Sequence, residues 1–160
     1  MIRNIICIGI LLVVAPVHAG SVDILQCGGA MMKMTPPPWQ PSPDMKQMPD
    51  FVVVIEKDDK KAILNYSGQN EFLSMRCQMD NNSKPYLLVN NTCGGSGCSD
   101  WNIGLFDINQ MKEVLRADSR WRGNYDKAIN ILGITSLKPF STEHFDGKNH
   151  DGDISYTIRF

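Results

Sequence analysis

Charge of one sign is scarce in excess, histidine is scarce outright, and no apolar stretch is long enough to span a bilayer. The 16 Lys and Arg stand against 17 Asp and Glu, for a formal net charge of -1. That balance supplies no basic face for nucleic acid and no attraction to an anionic membrane surface. Of the 3 histidines, His18 lies near the N-terminus, so only His144 and His150 remain for acid-base or ligand chemistry in the body of the chain. The longest apolar run, Ile5 to Val14, falls well short of the roughly 20 residues a spanning helix needs.

That short run has another reading. It follows Arg3, is broken at Pro16, and leads to Val17-His18-Ala19, the order of charged, apolar and small residues in a secretory signal peptide. We expect residues 1–19 to be a signal peptide cleaved after Ala19, the protein to reach the periplasm or to be secreted, and no stable membrane insertion to follow. Lipidation at Cys27 is excluded, because Gln26 stands where a small residue is needed. The remainder loses Arg3 and no acid, so 15 basic side chains face 17 acidic ones. Its length suits one domain. We divide it into an N-terminal arm, 20–50, carrying a Met/Pro-rich segment, and a single domain over 51–160. Asn65, Asn81 and Asn90 head N-x-S/T sequons, which leaves a eukaryotic secreted origin open.

Cys7 departs with the leader, leaving Cys27, Cys77, Cys93 and Cys98. An even number in an exported chain reads as two disulfides, and four cysteines allow three pairings. Cys93 with Cys98 and Cys27 with Cys77 is the preferred set. Gly94, Gly95 and Gly97 let a short loop turn back on itself, and the second bond staples the arm to the body. C-x4-C is not the C-x2-C spacing of a zinc knuckle.

Periodicity places the elements. Ser21 to Cys27 alternates as a short strand, Ala30 to Met34 is methionine-rich, and five prolines within 36–43 force an extended crossing. Phe51 to Ile55 is apolar on both faces and β-branched, so a central strand is expected, with Ala62 to Tyr66 as its hairpin partner. Glu71 to Gln78 fits either a helix, through Phe72, Met75 and Met79, or a strand. Pro85 to Val89 enters a strand that delivers the chain to Cys93, and a hairpin follows over Trp101 to Leu115. Asn124 is expected to cap a short helix ending at Gly133. Leu137 to Asp153 is turn-rich and Ile154 to Phe160 alternates as a last strand. The fold class is α+β, mainly antiparallel β-sheet with one short helix and two disulfides.

Known chemistries fit poorly. Gly94-Gly95-Ser96-Gly97-Cys98 begins like a G-x-S-x-G elbow, but Cys98 replaces the last glycine and no long helix follows. Neither His144 nor His150 is fixed as a base for Ser96. An EF-hand register over the tail would put Gly147 and Ile158 at ligand positions, leaving only a looser calcium site through Asp146, Asp151 and Asp153. Met31, Met32, Met34, Met45 and Met48 with Trp39 could hold copper(I), though methionine usually packs. We therefore expect no enzyme and no cofactor. The leading function is a protein-binding module of inhibitor or immunity type, meeting another envelope or secreted protein through Gly94, Gly95, Ser96, Gly97 and Trp101. A metal binder or a small hydrolase is the alternative. The clamped loop and the hairpin after it resemble the protruding loop of periplasmic inhibitors of vertebrate lysozyme, but this loop lacks the histidine those inhibitors use.

Overall fold

The computed structural model describes residues 24–35, 50–66, 72–93, 97–98, 101–117, 123–141 and 144–157. β1 (Ile24–Cys27), β2 (Ala30–Thr35), β3 (Phe51–Lys57) and β4 (Lys60–Tyr66) follow one another as an antiparallel 4-stranded sheet. Gly28 and Gly29, at φ 55 and 80, make the two-residue turn from β1 to β2, a turn whose backbone needs positive φ at both positions. Residues 24–35, set apart as an arm by the sequence reading, thus supply two of this sheet's strands. The signal peptide and the proline crossing, with Trp39, Met45 and Met48, lie outside the described residues.

The second sheet has six strands. β5 (Phe72–Met79), β6 (Pro85–Thr92), β7 (Ile103–Asp107), β8 (Lys112–Leu115), β9 (Asp146–His150) and β10 (Asp153–Thr157) lie in the order β8-β7-β6-β5-β10-β9. Alternation then sorts the side chains. Leu25, Met32, Met34, Val53, Ile55 and Leu64 of the first sheet meet Leu73, Met75, Leu87, Val89, Phe106 and Ile154 of the second in one core. Each such buried side chain contributes about 1.5–3 kcal/mol. On the other face of the second sheet, Tyr86, Leu88, Ile103 and Leu105 pack against Ala128 and Leu132 of α1 (Tyr125–Leu132) and against Leu137. The layers are sheet, sheet, helix, and the Cys27–Cys77 disulfide joins β1 to β5 across the first two.

Four local outcomes bear on the sequence reading. β3 is an inner strand, but only Phe51, Val53 and Ile55 enter the core, while Val52 and Val54 are half-buried on the opposite face. β5 resolves the ambiguity in favour of a strand over Phe72–Met79. Its second face is polar yet also buried: Ser74 meets Ser155 at 2.8 Å, and Arg76 lies beside Asp153 and over the Phe140 ring. β9 is a strand with little apolar content, paired only to β10. Asp151 and Gly152, at φ 52 and 88, form the two-residue Asp-Gly turn that closes the β9–β10 hairpin.

Candidate functional site

The Cys93–Cys98 disulfide closes a loop at the exit of β6, with Cα atoms 5.7 Å apart. Gly94, Gly95 and Ser96 lie outside the described residues. Gly97 is exposed, and Cys93 and Cys98 are half-buried. Trp101 is half-buried as well, its ring edge-on to Tyr125 with centroids 5.0 Å apart, so it belongs as much to the helix packing as to the loop. The chain then enters β7 beside β6, and both feet of the loop stand on neighbouring interior strands.

Asparagines hold those feet. The ladder between β6 and β7 pairs Asn90 with Ile103 and is prolonged by Asn91 N–H donating to the Asn102 carbonyl at 3.0 Å. Asn102 donates its own N–H to Asn90 Oδ1 at 3.0 Å and its Nδ2 to the Asn91 carbonyl at 2.6 Å. Asn91 and Asn102 are fully buried, so these bonds form away from water, where an unmet polar group is costly.

On the other side, β8 pairs with β7 only as far as Leu105 and Leu115. Asn124 fills the gap. Its Oδ1 accepts from Ile103 N–H at 2.5 Å, and its Nδ2 donates to the Ile103 carbonyl at 2.6 Å and the Arg116 carbonyl at 3.2 Å. Its backbone N–H donates to the Trp101 carbonyl at 3.0 Å. One side-chain amide therefore serves Ile103 as a neighbouring strand would. This corrects the expectation that Asn124 caps the helix with its side chain: it occupies the N-cap position, but no side-chain cap bond is made. Gly133 does end the helix, at φ 64, as expected.

The other candidate groups lie elsewhere. His144 and His150 stack on each other with centroids 4.1 Å apart, and His150 Nε2 sits 3.0 Å from Asp146 Oδ1. The Lys148 N–H, assisted by His150, holds the Asp146 carboxyl below its ordinary range. Asp153 instead faces Arg76 and accepts from Ser141 N–H, while Asp151 occupies the turn. The three carboxylates weighed for calcium are thus not brought together, and among the described residues no three His, Cys, Asp or Glu side chains form a metal site. Met32 and Met34 are buried in the core and Met31 is exposed, because successive strand residues point to opposite faces. A groove of about 330 Å³ bordered by Gly29, Met31, Glu56, Asp58, Asp59, Lys60 and Lys61 belongs to the turns of the first sheet, not to the loop.

Sequence reasoning passed over the asparagines. Asn90 enters that reading only as a sequon, Asn124 only as a cap, and Asn102 not at all. Their density on both sides of the C-x4-C loop was the available signal. Among the described residues no helix is long and apolar enough to cross a membrane. Scans of family models, of curated proteins and of solved structures find no match to the chain.

Proposed function

We propose that the chain is an exported, non-catalytic protein-binding module of the inhibitor or immunity type, presenting the Cys93–Cys98 loop to another envelope or secreted protein. The observation that carries this reading is the base of the loop. A disulfide closes it, and its feet are fixed by five hydrogen bonds described above among Asn90, Asn91, Asn102, Ile103 and Asn124. A loop ordered beforehand loses less conformational entropy on binding, so more of its contact energy appears as affinity. Three of the four enclosed residues are glycine, which allows a partner's backbone to approach closely. The leader and the oxidised cysteines favour an exported protein.

The test compares wild type with Gly95→Arg as bait in envelope extract, each first shown to be folded by thermal denaturation. Arginine at Gly95 is expected to abolish capture with little change in melting temperature. Retention of every wild-type partner by the folded variant would reduce the loop to a structural tie.

A further inference from the structure

The two disulfides stand in different surroundings. Cys27 is buried in the core between the sheets, with its Sγ 3.5 Å from the Tyr86 carbonyl oxygen, while its partner Cys77 is half-buried. Cys93 and Cys98 are both half-buried at the surface end of β6. Thiol–disulfide exchange expels one sulfur as a thiolate, so its rate depends on access to one sulfur and on what the other must become. Attack on Cys77 would leave a charged Cys27 sulfur among apolar side chains and beside a carbonyl oxygen, a costly place for an anion. Attack at either end of the other bond releases a thiolate at the surface.

From this contrast we infer that Cys93–Cys98 is a redox-modification site, opened by a dithiol reductant of the thioredoxin class while Cys27–Cys77 stays closed. One reductant thiolate attacks the sulfur of Cys93 or Cys98, forming a mixed disulfide and expelling the other cysteine, which takes up a proton. The reductant's second thiolate then attacks the reductant sulfur of that mixed disulfide, closing the reductant's own disulfide and expelling the remaining protein cysteine, which also takes up a proton. The products are two protein thiols and one oxidised reductant, with two electrons transferred. The fold outlasts the opening, because the feet remain tied through Asn91, Asn102 and Asn124. What is lost is the closure across the loop. The consequence for binding rests on the function proposed above, and the chemistry does not.

The experiment treats the oxidised mature protein with limiting dithiothreitol, alkylates at intervals with iodoacetamide, and maps the modified cysteines by mass spectrometry. Cys93 and Cys98 should be alkylated roughly tenfold or more faster than Cys27 and Cys77, with the far-ultraviolet circular dichroism unchanged when the first pair is fully modified. Equal rates, earlier opening of Cys27–Cys77, or loss of the spectrum as Cys93–Cys98 opens would overturn the inference. A Cys93→Ser/Cys98→Ser variant separates the consequence. Weaker partner capture than the oxidised wild type supports a switch, and undiminished capture refutes one. If Gly95→Arg retains every partner too, it is the binding reading that fails, and selective alkylation still decides the redox site.

Discussion

Replacing Asn124 distinguishes a strand brace from a helix cap, since the two roles respond oppositely to serine. Ile103 is fully buried, and Asn124 is bonded to both its N–H and its carbonyl. Truncation to alanine leaves two buried backbone groups without that partner, each costing about 1–3 kcal/mol, so the loss should be about 2–6 kcal/mol. If the residue acted as a cap, alanine would cost about 1 kcal/mol and serine, itself a good cap, only a few tenths. A single short hydroxyl cannot reproduce an amide that donates and accepts on one backbone unit, so Asn124→Ser should fall close to Asn124→Ala. Urea denaturation of the oxidised proteins, with the slope checked for constancy, reads both differences. Asn124→Ser within about 0.5 kcal/mol of wild type would show that the brace contributes little and that the base of the loop is not held as described.

Removing Cys27–Cys77, which spans 50 residues, should cost about 4 kcal/mol on the chain-entropy estimate, against about 2 kcal/mol for Cys93–Cys98, which spans 5; paired-serine variants compared in urea would show the order. Gly147→Ala should lose about 2 kcal/mol or more by thermal or chemical denaturation, because φ is 76 and an added Cβ would lie 2.3 Å from the Tyr156 ring. Gly152→Ala, with φ 88 and nothing within 4 Å, should lose only the backbone term of about 1–2 kcal/mol. The depressed Asp146 carboxyl favours the folded state once ionised, so its contribution is present above the ordinary value of 3.8 and is lost as pH falls through the lower folded value. Asp146→Asn should accordingly be less stable than wild type at neutral pH and equal to it in acid, measured by denaturation across that range; a gap that persists in acid would assign the effect to something other than ionisation.

Much of the fold was legible because local signals agreed with tertiary demands. The β3–β4 hairpin, the β6 strand, the β7–β8 hairpin, the stop at Gly133 and both cysteine pairings follow from alternation, turn residues and loop length. The division into two sheets did not follow. A period of two says which side of a strand faces a core, but not which sheet the strand joins. β5 was ambiguous because its polar face is buried, and the groups that meet Ser74 and Arg76 lie far along the chain: Ser155 and Asp153 of β10, and the Lys138 carbonyl ahead of β9. β9 offers almost no apolar residue to read. It is recruited by backbone pairing to β10, with Gly147 accepting the Tyr156 ring where no side chain would fit.

The loop itself was legible and its foundation was not, and the difference is physical. Cysteine spacing and glycine content act within a few residues, whereas Asn124 reaches Ile103 across 21 positions and matters only because β8 has left β7 by that point. That foundation is costly by composition: buried amides bring no hydrophobic gain, and an incomplete network is worse than an apolar one of the same shape. A well-packed apolar base could stabilise the fold at least as well, since polar groups in a core add little net stability when fully paired. What hydrogen bonds add is direction, because a backbone unit bonded on both edges holds its strand in one position, whereas apolar contacts tolerate sliding. The disulfide of a loop of five-residue span contributes about half of what Cys27–Cys77 does on the chain-entropy estimate, yet both its feet rest on buried polar ground. Fixed position of the strand ends on which the loop stands is the property that accounts for this arrangement, and it is the property the proposed binding role would require.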